Sequence, residues 1–171
     1  MTTIAEPIRA EVVESDSTLA RTVRGVAGGE IAGAVFALLT VWFTASLDEG
    51  RDAALLMIST IATGRNSVEN GTASVAVGVL IHLALSASYG VIFSRFVPRM
   101  HTNGTLLLCG GIYGLAVYVV NFRILSPLLF PAFQHANQPF EVLVHLVYGQ
   151  VLALIFLSRG VRSAEPRIDW Q

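Results

Sequence analysis

Four long apolar segments run along the chain, and polar or proline-bearing stretches separate them. They cover about residues 26–47, 72–96, 104–125 and 140–158. A helix that crosses a bilayer needs roughly 20 mainly apolar residues, and each segment has about that length. The pattern therefore predicts an all-α integral membrane protein, a bundle of four transmembrane helices within residues 26–158.

Shorter stretches lie outside these spans. Residues 53–62 are apolar but too few to cross a membrane, so they predict one short interfacial helix. Residues 126–139 contain three prolines and predict a structured loop, not a helix. Residues 1–25 lack the apolar core of a signal peptide, so they are predicted to stay as an N-terminal tail. Residues 159–171 form the predicted C-terminal tail.

Charge is scarce in this chain. Hydrophobic residues make up 53% of its 171 residues and charged residues 13%, about half the usual charged share. A soluble domain with so few charges could hardly cover its surface, which again indicates a lipid bilayer as the surroundings. The net charge of −1 gives no reason to expect a nucleic-acid partner.

The positions of the arginines predict the orientation of the chain. Eight arginines precede the first span, lie between the second and third, or follow the fourth: Arg9, Arg21, Arg24, Arg95, Arg99, Arg159, Arg162 and Arg167. Only Arg51, Arg65 and Arg123 fall on the other side. Because short cytoplasmic loops collect positive charge, both termini are predicted to be cytoplasmic.

Small residues recur every four positions on all four predicted helices. In chain order these stripes are Gly25, Gly29 and Gly33; Gly78, His82, Ser86 and Gly90; Gly110 and Gly114; and Glu141, His145, Gly149 and Ala153. Such stripes allow helix backbones to approach closely in lipid. Each histidine shares a face with small residues, so both are predicted to point at other helices and not at lipid.

Two pairs of short matches indicate an internal duplication. "GEIAG" at residues 29–33 resembles "GGIYG" at 110–114, and "VLIHL" at 79–83 resembles "VLVHL" at 142–146, in the same order. The matches raise the hypothesis of two tandem helical hairpins, inserted in the same direction around an axis along the membrane normal. They are also short enough to arise by chance.

Two histidines and one glutamate are the candidate functional residues. His82 and His145 could each hold haem or chlorophyll, or could simply hydrogen-bond between helices. Glu141 lies one turn before His145, so the two could relay protons. Alternatively, Glu141 could form an ion pair with Arg123 at the outer membrane interface.

No catalytic motif was found in the sequence. It has no GxSxG, Walker, HExxH or GxGxxG pattern, and its single cysteine permits neither an internal disulfide nor a zinc cluster. No soluble part is large enough to house an active site. We therefore expect neither an enzyme nor a metal site.

From His82 onward the chain resembles the YagU-like family of bacterial inner-membrane proteins. The resemblance rests on "HLALSASYG" at residues 82–90, on "GGIYG", on the proline-bearing loop, and on "EVLVH" at residues 141–145. It implies a small multi-span protein of the bacterial inner membrane with a link to acid resistance. It also draws attention to His82, Glu141 and His145.

Three functions are compatible with these features. The first is an accessory or scaffolding subunit of a larger respiratory or photosynthetic membrane complex, suggested by the packing stripes and the missing catalytic motifs. The second is a free-standing YagU-like protein with a role in proton or acid stress. The third is a membrane protein that binds haem or chlorophyll through His82 or His145.

Overall fold

The structure, a computed structural model, describes residues 6–157, and side chains from residue 18 onward. Six α-helices and no strand occur within these residues. They are α1 (Glu6–Ser46), α2 (Ala53–Thr63), α3 (Val75–Phe96), α4 (Asn103–Tyr118), α5 (Ser126–Leu129) and α6 (Gln138–Ile155). The predicted all-α fold is confirmed. Residues 1–5 and the predicted C-terminal tail lie outside the described residues.

Four stretches are long and apolar enough to cross a membrane, as the sequence predicted. They are Thr18–Ser46, Val75–Arg99, Asn103–Leu129 and Gln138–Ile155. α1 differs from the prediction because it begins at Glu6, well before the apolar segment. Hydropathy identifies only the part of a helix that can lie in lipid. Good helix formers such as Ala, Glu and Arg, which are polar or small, can extend the same helix beyond that part. The described part of the predicted N-terminal tail is therefore helical.

Three of the long helices begin with a side-chain cap. The hydroxyl of Ser74 accepts a hydrogen bond from the backbone N–H of Val77 at the start of α3. Thr102 caps α4 in the same way, and Asn137 caps α6. Such caps satisfy backbone donors that have no partner within the helix, so they fix where each span begins.

The third span does not end where the proline-bearing loop was predicted to begin. A π-helical segment, Val119–Leu125, follows α4, and the single turn α5 continues the helical path. Pro127 has no N–H to donate to the carbonyl of Arg123, and the N–H of Ser126 instead reaches the carbonyl of Asn121. Proline chemistry thus widens the helix here and does not simply end it. A 3₁₀ turn, Pro131–His135, follows.

The bundle consists of two closely packed antiparallel pairs. α1 packs against α3, α4 packs against α6, and α1 also contacts α6, which joins the pairs. A methyl group added to Gly29 would meet the backbone carbonyl of Ser86, and one added to Gly114 would meet the backbone carbonyl of His145. These two glycine seams bring backbones into direct contact, as small-residue stripes allow in lipid.

The two seams use matching positions of the two proposed repeats. Gly29 lies against Ser86 and Gly90, and its counterpart Gly110 lies against Gly149 and Ala153. These partners correspond in the register that aligns "VLIHL" with "VLVHL". The contacts thus recur at equivalent positions, which agrees with the hypothesis of two tandem hairpins.

The core of the bundle fills the half that holds the glycine seams. Phe93, Leu106 and Leu152 are fully buried there, in one cluster with Val97 and Phe156. This half is the one that the arginine pattern predicts to lie toward the cytoplasm. The bundle is therefore closely packed at that end.

Tyrosine hydroxyls connect the two pairs across the core. Tyr148 on α6 donates to the carbonyl of Ser86 on α3 at 3.0 Å. Tyr113 on α4 donates to the carbonyl of Tyr89 on α3 at 2.7 Å. Because a buried hydroxyl in lipid needs a partner, these bonds help to hold the two hairpins in register.

Candidate functional site

A cavity of about 580 Å³ occupies the half of the bundle opposite the Phe93 cluster, and Ser86 and His145 border both this cavity and the glycine seams. Its wall comes from the C-terminal part of α1, from α2, α3 and the segment Val119–Leu125, and from the loop before α6 and the first half of α6. The arginine pattern predicts this half to face away from the cytoplasm. We call this space the outer cavity.

Phenylalanines form much of the wall toward the predicted outer end. Phe43 on α1 stacks on Phe140 on α6, with ring centroids 3.9 Å apart. Phe122 lies edge-on to Phe133, at 6.0 Å between centroids. All four rings line the outer cavity, so much of its surface is aromatic.

The short helix α2 forms one side of the cavity. A methyl group added to Gly78 on α3 would meet the backbone carbonyl of Leu55, so α2 lies directly against α3. The backbone N–H of Ser74 also donates to the hydroxyl of Ser59, at 3.1 Å. With this anchoring, Ala54 and its neighbours on α2 face the cavity. The predicted short helix is thus part of the bundle.

His82 lines the outer cavity and holds two helices together. Its Nε2–H donates to the backbone carbonyl of Gly33 on α1, at 2.9 Å. The carbonyl can only accept, so this nitrogen carries the proton and has no lone pair for a metal. The sequence left two roles open for His82, cofactor ligation and hydrogen bonding between helices. The structure contains the interhelical hydrogen bond.

His145 has a different arrangement from its counterpart in the first hairpin. Only 4% of its surface is exposed, and its Nδ1–H donates to the backbone carbonyl of Glu141 at 2.7 Å. Nε2 therefore keeps its lone pair in the neutral ring. The rings of Phe36, Tyr118 and Phe122 surround the imidazole edge-on, with centroids 4.9, 5.8 and 5.5 Å away.

The two histidines do not both offer a free Nε2 to one metal ion. Phe36 contacts both rings, at 5.9 Å from His82 and 4.9 Å from His145. A haem iron held by both would need a free ring nitrogen aimed at it from each side. Since Nε2 of His82 is already occupied by Gly33, only His145 retains the Nε2 lone pair that an axial ligand uses.

Glu141 is buried in the wall of the outer cavity, with 9% of its surface exposed. Its carboxylate Oε2 lies 3.7 Å from Nδ1 of His145, and this is the one close contact between an acidic and a basic side chain within residues 18–157. Arg123 is exposed and does not reach the carboxylate. The ion pair predicted between Arg123 and Glu141 is therefore not formed.

Two residues of this site, Asn121 and Phe36, were not predicted from the sequence. Asn121 lines the cavity and accepts a hydrogen bond from the hydroxyl of Tyr89 at 2.7 Å, which connects the third span to the second. Phe36 separates the two histidines. Asn121 could have been noticed as an amide within an apolar run, whereas nothing in the sequence distinguishes Phe36 from other core phenylalanines. No group of three or more His, Cys, Asp or Glu in the described chain could hold a metal ion.

The fold and this cavity define a class of protein. The chain is a helical, multi-pass membrane protein with a cavity of ligand size in one half of its bundle. Comparison with known proteins finds no family model, no curated protein and no solved structure that matches the chain. The YagU-like resemblance, and the acid-stress role that it implies, therefore remain predictions.

The glycine stripes that suggested an accessory subunit are used inside the chain. Gly25, Gly29, Gly90, Gly114 and Gly149 all pack against another helix of the same bundle. The faces left exposed carry large aliphatic side chains, among them Leu38, Leu80, Leu108 and Ile112. Such faces suit lipid. Membership of a larger complex remains a prediction. The glycine stripes do not support it, because they contact helices of the same bundle.

Proposed function

We propose that the protein binds an apolar or amphiphilic small molecule in the outer cavity. One observation supports this most directly. A space of about 580 Å³ lies between mainly apolar walls and contains a few polar groups. Small-molecule sites are commonly cavities of roughly 300–1,000 Å³ with this composition.

The apolar walls and the polar groups of the cavity would bind different parts of a ligand. The phenylalanines and the aliphatic side chains of α2 offer surface to an apolar body. Asn121, Glu141 and His145 offer hydrogen-bonding or charged atoms on one side of the same space. An apolar ligand also concentrates in the bilayer, which raises its concentration around a protein that spans the membrane.

Filling the cavity tests the proposal. Ala54→Phe places a ring in the space from α2, whereas Ala84→Phe adds the same ring to an exposed position of α3 that does not line the cavity. Binding of a neutral naphthalene probe would be measured in phosphatidylcholine nanodiscs and corrected with empty discs. We expect at least about tenfold weaker binding for Ala54→Phe, or about 1.4 kcal/mol, and native affinity for Ala84→Phe. Equal affinities for all three proteins would contradict the proposal.

A second candidate is an axially ligated tetrapyrrole held by His145 alone. The observation in its favour is the proton on Nδ1, donated to the carbonyl of Glu141, which leaves Nε2 free. Ring histidines that bind metals commonly donate their other N–H in this way. The absorption spectrum of protein from native membranes tests this. A Soret or red band that His145→Ala removes and His82→Ala retains would support the candidate, and a colourless preparation would end it.

A further inference from the structure

We propose that the ligand of the outer cavity is a lipophilic organic cation whose charge is paired by Glu141. This inference rests on the proposed function and specifies its ligand class. Three observations support it: the position of the Glu141 carboxylate, the charges of the lining residues, and the aromatic wall.

The carboxylate of Glu141 lacks a hydrogen-bonded partner among the side chains that the structure describes. Among the described residues, no hydrogen bond reaches it, and its one close contact with a basic side chain is Nδ1 of His145, at 3.7 Å. That N–H already donates to the backbone carbonyl of Glu141, at 2.7 Å. A buried carboxylate in an apolar region is costly unless a proton or a cation neutralises it.

The described residues that line the cavity carry negative and no positive formal charge, with the histidines taken as neutral. Glu141 is buried in the wall and Glu49 is exposed in the turn after α1, while no arginine in the described part of the chain lines the space. The chain contains no lysine. The remaining ionisable lining groups are His82, His135 and His145, together with tyrosines. The site thus complements a cation and would repel an anion.

The aromatic wall complements the same chemistry. Phe43, Phe122 and Phe133 line the cavity with Glu141, and their faces attract a cation while their area contacts an apolar body. A quaternary ammonium or phosphonium group on a hydrophobic frame matches both features. A free metal ion does not, because the carboxylate is the only buried anionic ligand that the described lining provides.

A pair of isosteric probes tests the inference. (1-Naphthylmethyl)trimethylammonium and its neutral neopentyl analogue have the same shape and differ in charge. Their binding would be compared in phosphatidylcholine nanodiscs for the native chain, for Glu141→Gln, and for Glu69→Gln as the matched control, because Glu69 is exposed and does not line the cavity. We expect the native chain and Glu69→Gln to prefer the cation at least about tenfold, and Glu141→Gln to lose this preference while it keeps its affinity for the neutral probe.

The other outcomes separate the two proposals. Equal affinities of the native chain for the two probes would overturn the cation inference and leave cavity binding intact. Binding of neither probe would overturn both proposals. A preference for the cation that survives in Glu141→Gln would refute the role of this carboxylate. If Glu141→Gln does not fold, the two probes on the native chain and on Glu141→Asp, which keeps the charge, still decide the ligand class.

Discussion

Replacing Gly110 by alanine tests the backbone contact between α4 and α6. A methyl group at Gly110 would lie 2.6 Å from the backbone oxygen of Gly149 and 2.6 Å from Cβ of Ala153. Ordinary contact begins near 3.4 Å, so the two helices must separate by several tenths of an ångström. A backbone carbonyl cannot rotate away as a long side chain can, and the separation would extend to the neighbouring contacts of the seam.

The expected loss of stability follows from two opposing effects. Overpacking of a well-packed interior costs about 1–3 kcal/mol, and alanine recovers up to about 1 kcal/mol of helix propensity relative to glycine. We therefore expect Gly110→Ala to reduce the free energy of unfolding by about 1–2 kcal/mol. The matched control is Gly104→Ala on the same helix, where an added methyl group meets only the hydroxyl of Thr102 at 3.8 Å.

The free energies would be measured by titrating the protein in mixed micelles with sodium dodecyl sulfate and following helix content by circular dichroism. Gly104→Ala should unfold like the native chain or slightly later. Adding Ala153→Gly to Gly110→Ala should recover part of the loss, because it removes one of the two clashing atoms. Equal stability of Gly110→Ala and Gly104→Ala would refute the close contact, and with it the account of the seam.

Three further predictions concern other parts of the bundle. Gly29→Ala should destabilise the matching seam between α1 and α3 by a similar amount, and a neutral effect in the same titration would argue against equivalent hairpins. Tyr113→Phe should cost about 0.6 kcal/mol through loss of one interhelical hydrogen bond, whereas a loss beyond about 2 kcal/mol would point to a packing change instead. In a Cys109→Ser background, a membrane-impermeant maleimide added to intact cells should label Arg51→Cys and spare Arg99→Cys, and the reverse pattern would invert the predicted orientation.

Local chemistry explains why much of the fold could be predicted. The length and apolarity of four segments determine four spans, and the caps Ser74 and Thr102 place two of their starts within a few residues of the prediction. The four-residue spacing of Gly25, Gly29 and Gly33 indicated the face of α1 that packs. Each of these properties depends only on residues close together in the chain, so it can be predicted from the sequence. The end of the third span was predicted less well, because Pro127 widened the helix where a break was expected.

The candidate site could be predicted only in part. Spacing alone put His82 and His145 on packed faces, and the repeat suggested that they are equivalent. The structure gives them different partners: a carbonyl on another helix for His82 and a carbonyl of its own helix for His145. The pairing of Glu141 with Arg123 was wrong, because side chains at neighbouring helix ends need not face each other, and Arg123 lies on an exposed face.

The sequence by itself determined the membrane environment, the number of spans, the packing faces and the residues able to carry chemistry. These features could be predicted because hydrophobicity and helical periodicity are properties of each segment alone and do not depend on how the segments pack. Only the tertiary structure decided that a buried cluster around Phe93 fills one half of the bundle while α2 and the π-helical segment line a cavity in the other. Such a cavity is the space that helices leave between them, and its shape depends on how distant segments pack. Within that space, Glu141 is a buried carboxylate that no arginine of the described residues reaches.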